Sequence, residues 1–147
     1  MHDGMAVQKS GAEMGLACGG RFHFYMDGGI YTNENAQTGG SYGYPFNLNV
    51  SGIDTGYREG SFTLEGDATF TSNSRVETWA KNSVTHYNLN GGVLTCPLLY
   101  VFDEVHNNYG TVHLSFDGGT WRVVPHNGES IFGYSNDNAG PSTFVIY

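Results

Sequence analysis

Apolar and polar residues alternate in short runs along most of the chain. Every second residue is apolar in residues 46–50 and 61–65, and the alternation resumes in residues 68–71. This period-two pattern is typical of a strand with one buried face. Clusters of Gly, Asn, Asp and Ser separate the runs at intervals of about eight to twelve residues. The pattern predicts an all-β fold built from many short strands.

A glycine-rich phrase occurs three times between apolar flanks. It reads Asp27-Gly28-Gly29, Asn90-Gly91-Gly92 and Asp117-Gly118-Gly119. Asp-Gly and Asn-Gly suit turns with positive φ, because Gly has no Cβ to clash and Asp or Asn tolerates the left-handed region. The flanks are aromatic or β-branched, which suits a pleated surface. We therefore predict three β-hairpins.

The composition supports one strand-rich domain. The 147 residues include 22 glycines, and only 14% of them are charged. Few helix-forming side chains and many aromatics favour a β structure with many turns over helices or disorder. We interpret residues 1–147 as a single β-rich domain and as a fragment of a longer chain. No fixed long repeat is visible, so we do not expect a regular solenoid.

Several predicted strands have few apolar residues on their inner face, which favours an oligomer. Strands within residues 47–50 and 63–70 have only two or three apolar residues on the inner face. Three interleaved or side-by-side chains would cover the exposed edges and apolar surface of such strands. The predicted fold class is all-β, with short antiparallel strands and hairpins, sandwich-like or intertwined, assembled as a homotrimer.

The charge and hydropathy of the chain limit the classes of molecule that it could bind. The formal net charge is −8, and the six lysines and arginines are scattered, which argues against nucleic acid and against anionic membranes. No apolar stretch approaches the roughly 20 residues of a membrane span, and no signal peptide is visible. Neutral or amphipathic partners such as sugars, or other proteins, remain open. Whether Cys18 and Cys96 pair is also open, although two buried thiols are favoured.

Four carboxylates are the candidates for catalysis: Glu59, Glu65, Asp67 and Glu77. Glycoside hydrolysis uses two carboxyl groups at a defined separation. Acidic residues next to turn glycines are nevertheless common, because they form local hydrogen bonds. No nucleophile-elbow sequence and no phosphate-binding loop is present. We predict that the chain is not an enzyme.

The histidines give no local metal motif. None of the six forms a His-x-His or His-x₃-His pair, so we predict no metal site and no cofactor. His23 and His113 occupy equivalent strand positions, and near the axis of a trimer such a residue could bind a metal or an anion. A half-buried strand histidine explains both without a ligand.

Tyrosines in or beside polar loops are the best binding candidates. A tyrosine ring can stack on a pyranose face while amides and carboxylates bond the hydroxyl groups. Loop tyrosines also cap cores or pack between subunits, so both roles stay open. The predicted contact segments are residues 33–44, 103–109 and 135–142. The candidate receptor- or glycan-binding residues are Tyr42, Tyr44, Tyr57, Tyr109, Tyr134, Asn107, Asn136 and Asp137.

Several phrases resemble bacteriophage tail fibres. Residues 5–12 and 20–28 resemble shaft-and-tip segments, and residues 62–70 resemble the pattern of short strand, Gly-Asp and short strand. The resemblance implies a homotrimer in the virion, assembled in the host bacterial cytoplasm. Its distal loops would contact a surface polysaccharide or an outer-membrane protein. No catalytic residue is implied, and no axial metal, because the His-x-His phrases of one fibre subtype are missing.

Three functions follow in order of preference. The first is a structural and receptor-binding part of a phage tail fibre, without nucleic-acid binding or membrane insertion. The second is a monomeric carbohydrate-binding β-sandwich module. The third is a fragment of a glycan-depolymerising tailspike.

Overall fold

All of the regular structure in the described residues is β-strand. The computed structural model describes residues 1–9, 14–16, 21–35, 46–48, 58–79, 83–97, 99–102, 111–124, 132–134 and 143–146. The all-β prediction is therefore confirmed for these residues. The strands are β1 Met5–Gln8, β2 Met14–Leu16, β3 Arg21–Met26, β4 Ile30–Asn33, β5 Phe46–Leu48, β6 Arg58–Ser72, β7 Val76–Trp79, β8 Ser83–Cys96, β9 Leu99–Phe102, β10 Thr111–Phe116, β11 Thr120–Val123, β12 Phe132–Tyr134 and β13 Thr143–Ile146.

The described strands all pair in parallel and form two sheets. The larger sheet has the order β1-β4-β6-β8-β10-β13, with β3 also paired to β6 and β11 to β8. The smaller sheet has the order β12-β9-β7-β5-β2. Along the sequence the chain visits the two sheets in turn, and each strand lies against strands of the neighbouring circuits. This arrangement is a parallel β-solenoid. The prediction of antiparallel strands is wrong.

The glycine phrases are corners of the solenoid and not hairpin turns. β3 and β4 flank Asp27-Gly28-Gly29, yet they pair with the two halves of β6 and not with each other. β10 and β11 lie in the same way along β8, which runs through Asn90-Gly91-Gly92 without a break. The expected positive φ is confirmed, at 77° for Gly29 and 82° for Gly118. The turn chemistry was correctly identified, but the partners of the flanking strands lie in other circuits.

Coil length varies along the solenoid, which is why no fixed repeat is visible. Val76 pairs with Leu99, 23 positions later, whereas Ile30 pairs with Thr69, 39 positions later. The stacking requires only that the strand segments align, and the segments between them can differ in length. The missing period therefore argues only against a regular solenoid and is compatible with a solenoid whose coils differ in length.

A corner within β6, at residues 66–69, bends the larger sheet so that its two halves enclose one interior. The ladder between β6 and β8 shifts register between Gly66 and Thr69. The ring centroids of Phe62 and Phe70 are 4.9 Å apart, although eight residues of straight strand would span about 26 Å. Phe46 of the smaller sheet closes the interior, with its ring centroid 4.9 Å from that of Phe70.

Parallel pairing stacks like positions of successive coils. Phe24 lies on Phe62 with ring centroids 5.0 Å apart, and Tyr31 lies on Phe70 at 4.5 Å. Tyr31, Phe62 and Phe70 are buried within one chain, and Phe24 is partly buried against them, so the burial of the first three does not require neighbouring copies. The buried core consists of Met26, Tyr31, Phe46, Phe62, Leu64, Ala68, Phe70, Val76, Tyr87, Leu89, Leu94, Cys96, Leu99, Val112 and Leu114.

Candidate functional site

Most of the predicted contact residues lie outside the described residues. Tyr134 belongs to β12, which the structure describes only at the level of the backbone. The others outside the described ranges are Tyr42, Tyr44, Tyr57, Tyr109, Asn107, Asn136 and Asp137. A binding role for this set stays a prediction.

The start of the first predicted contact segment is not an exposed loop. Asn33 and Asn35 are buried, and the side-chain oxygen of Asn33 accepts hydrogen bonds from the backbone and side-chain nitrogens of Asn35 at 3.0 and 2.8 Å. The side chain of Asn33 donates to Ser72 on the next coil. These residues therefore close the end of a ladder, and only Glu34 between them is exposed, where it pairs with Lys9.

A polar surface covers the outside of one half of the larger sheet. Side chains alternate between the two faces of a strand, and in β3, β6, β8 and β10 the inward side chains that the structure describes are apolar, apart from the buried Thr85. The pairing register places the outward positions of these four strands in rows across successive coils. One row consists of His23, Ser61, His86 and His113, and the next consists of Tyr25, Thr63, Asn88 and Ser115. We call these eight residues the outer polar face.

Hydrogen bonds already connect the coils across the outer polar face. His23 Nδ1 lies 2.8 Å from Ser61 Oγ. Asn88 Nδ2 donates to Thr63 Oγ1 at 3.1 Å. Both pairs join side chains that are directly opposite in register. The polar groups of this face are thus oriented before any ligand arrives.

Glu65 has a structural environment at the edge of this face. Its Oε2 accepts a hydrogen bond from the hydroxyl of Tyr25 at 2.8 Å, and its Oε1 accepts one from Asn90 Nδ2 at 3.3 Å. The same carboxylate raises the pKa of Tyr25, chiefly through that hydrogen bond. Glu65 therefore links three successive coils.

Two of the four candidate carboxylates, Glu59 and Glu65, are too far apart to form a catalytic pair. Glu59 and Glu65 lie on the same side of one straight strand half, about 20 Å apart at roughly 3.3 Å per residue. Glycosidase pairs are about 5–10 Å apart, so these two do not act together. Glu59 lies 3.7 Å from Arg21 Nε. Asp67 is exposed at the corner, and the side chain of Glu77 is outside the described set.

His86 and His113 form a stacked pair in the outer polar face. They are direct partners in the ladder between β8 and β10, with ring centroids 4.8 Å apart and an interplanar angle of 11°. Partial burial and the neighbouring His113 lower the pKa of His86, while Glu59 acts in the opposite direction. The neutral imidazole is therefore favoured in the folded protein.

We expect acid to destabilise the fold through His86. The pKa of His86 is below 6.5 in the folded protein and close to 6.5 in the unfolded chain, so the unfolded chain binds more protons. The free energy of unfolding should fall as the pH decreases through 6.5, and this loss should level off below the folded-state pKa. Urea unfolding of the wild type and H86N across this range measures the effect. An identical pH dependence in H86N would contradict it.

Sequence reasoning recognised that His23 and His113 occupy equivalent positions but missed that His86 belongs to the same row. The signal was present: His23, His86 and His113 each stand four positions before the first residue of a glycine phrase. Since those phrases stack as corners, residues at equal distance from a corner share a row. The alignment depends on pairing between circuits, which no local motif records.

Two further expectations concern metals and cysteines. No group of three or more His, Cys, Asp or Glu side chains within the described ranges could hold a metal ion. Cys96 is buried in β8, and Cys18 is outside the described residues, so their pairing stays open.

In the part of the chain that the structure describes, no helix has the length and apolar character needed to cross a membrane. No protein-family model matches the chain, and searches of curated proteins and of solved structures found no significant match.

Proposed function

We propose that the chain is a non-enzymatic, receptor-binding segment of a phage tail-fibre protein. In this proposal it forms part of the virion and attaches it to a glycan on the bacterial surface. The observation that carries the proposal is the outer polar face, in which hydrogen-bonding side chains repeat coil after coil at the spacing of the strands. The fibre-like phrases of the sequence support the same assignment.

The chemistry of this face suits a polymeric sugar. Imidazole, amide and hydroxyl groups supply donors and acceptors for sugar hydroxyls. Tyr25 is 46% exposed and offers a ring face for stacking. The rows extend across four coils, so one extended polymer could contact several of them. The net charge of −8 favours a neutral glycan over an acidic one.

Binding to an array of lipopolysaccharide and capsule polysaccharides tests this function. We expect Y25A and N88A each to weaken binding about tenfold, because each removes a group that faces the ligand. T120A is the matched control, since Thr120 is exposed on the other half of the same sheet. The proposal fails if no polysaccharide binds, or if T120A weakens binding as much as the two test variants.

The proposed fibre is a homotrimer, and an apolar patch supports contact between chains. Met5, Val7 and Ile30 are 73%, 39% and 44% exposed on the outer side of β1 and β4, and Met5 is paired with Ile30. Contiguous exposed apolar side chains are typical of protein contact sites. Light scattering should give the mass of three chains. A stable monomer that binds a soluble oligosaccharide would instead favour a carbohydrate-binding module.

The tailspike alternative gains one argument from the structure. A solenoid presents long surfaces on which a polysaccharide can be held, and this chain has that architecture. Depolymerase activity would appear as new reducing ends released from the bound polysaccharide. An E65Q/E77Q variant that abolishes this release would replace our proposal with the enzymatic one.

A further inference from the structure

We propose that His86 and His113 together bind a divalent transition-metal ion across two consecutive coils. The proposal does not depend on the receptor-binding function. It rests on the position of two imidazoles in one row of the outer polar face.

The pairing register brings the two side chains together. His86 and His113 are direct partners on adjacent parallel strands, and both project from the same face. Neighbouring strands are about 4.8 Å apart, and the two rings keep the same separation, 4.8 Å between centroids at 11°. Both residues are partly accessible to solvent, so an ion can reach them without a change in the fold.

A small tilt of the rings would give the geometry of a chelate. Imidazole nitrogens bind zinc at about 2.0–2.1 Å, so two of them at a tetrahedral angle lie about 3.3 Å apart. Rings stacked at 4.8 Å reach that separation when their nitrogen edges approach by roughly 1.5 Å. Rotation about the side-chain bonds supplies this movement while the strands stay paired. Water would complete the coordination, and Cu²⁺ should bind more tightly than Ni²⁺ or Zn²⁺.

The other residues of the histidine row explain why the site consists of His86 and His113 alone. Ser61, the partner of His86 on the opposite side, carries a hydroxyl instead of an imidazole. His23 is two strand spacings from His86, about 9.6 Å, which is too far to share an ion. Its Nδ1 is already 2.8 Å from Ser61 Oγ. Glu59 acts electrostatically on His86 and adds negative charge near the pair.

Copper titration of the whole chain tests the site, with Cu²⁺ itself as the probe. Calorimetry should show a site that H86A and H113A each weaken at least tenfold. Spectra of bound Cu²⁺ should report two nitrogen ligands. A saturating ion should also raise the melting temperature by about 4 °C or more, because it binds only the folded state.

His23→Ala is the matched control, because it removes a histidine from the same row but outside the pair. It should leave both the copper affinity and the rise in melting temperature unchanged. S61H should have the opposite effect and add a second binding event, because it places an imidazole between His23 and His86. H86Q and H113Q replace the alanine variants if those do not fold. The proposal is overturned if the variants of His86 and His113 bind copper like the wild type, or if H23A loses as much affinity as they do.

Discussion

Gly92→Ala should destabilise the protein by about 3–5 kcal/mol, because alanine meets two separate obstacles at this corner. Gly92 has φ of 67°, in the left-handed region that disfavours a side chain. An added Cβ would also lie only 2.5 Å from the carbonyl oxygen of Ala68 on the neighbouring coil. The two coils would have to move apart at this corner to relieve the contact, and that movement would disturb the packing of the interior beside it.

Two glycines of another corner, Gly118 and Gly119, allow the backbone strain and the close contact to be measured separately. Gly118 has φ of 82° but open space around its missing Cβ, so G118A should cost only the backbone strain, about 1–2 kcal/mol. Gly119 lacks a positive φ, but its Cβ would lie 2.4 Å from the carbonyl oxygen of Leu89. G119A should therefore cost the close contact alone, about 1–3 kcal/mol. Urea unfolding gives all three free energies. If G92A costs no more than G118A, close stacking of the corners does not stabilise the fold.

Phe62→Ala should cost about 3–5 kcal/mol, the range for truncation of a buried aromatic residue. Phe62 is fully buried, and its ring stacks on that of Phe24 at 5.0 Å. It also meets Phe70 at 4.9 Å and Tyr87 at 5.6 Å. The variant therefore leaves a cavity that lies both between coils and between the two halves of the larger sheet. The surrounding side chains are held by both sets of contacts, so they cannot move in to fill it.

Phe116→Ala is the control for the loss of Phe62. Phe116 ends β10 and is 37% exposed, so its truncation should cost about 1 kcal/mol. Both variants lose the same atoms, and the difference between their unfolding free energies reports the position in the interior. Equal losses would mean that the stacked aromatic rings do not form the stabilising core.

Strand positions could be predicted from the sequence, whereas strand pairing could not. The alternation in residues 46–50 and 61–65 predicts strands, and β5 and β6 cover Phe46–Leu48 and Arg58–Ser72. Alternation has the same period in parallel and antiparallel sheets, so it identifies the buried face of a strand but not its partner. The Asp-Gly-Gly phrases added to the ambiguity, because a hairpin and a solenoid corner both need glycine with positive φ.

For the candidate site, too, the sequence predicts which face of a strand a residue occupies but not which residue of another strand it contacts. The exposed and buried faces of β6 follow from its sequence, including the outward position of Ser61. The contact of His86 with His113 depends on a register that joins residues 27 positions apart. The glycine phrases would have supplied that register if they had been interpreted as stacked corners.

The unequal spacing of the coils has a consequence for how this protein can change. Between paired positions the chain takes 23 residues in one circuit and 39 in another, and the strands remain aligned. Insertions between strands therefore leave the interior intact, whereas one residue added within β6 would move every following side chain of that strand to the opposite face. Evolution could therefore lengthen or replace the segments between strands while the paired strands stay the same. Variation in the length of those segments would then accumulate without a cost to the buried interior.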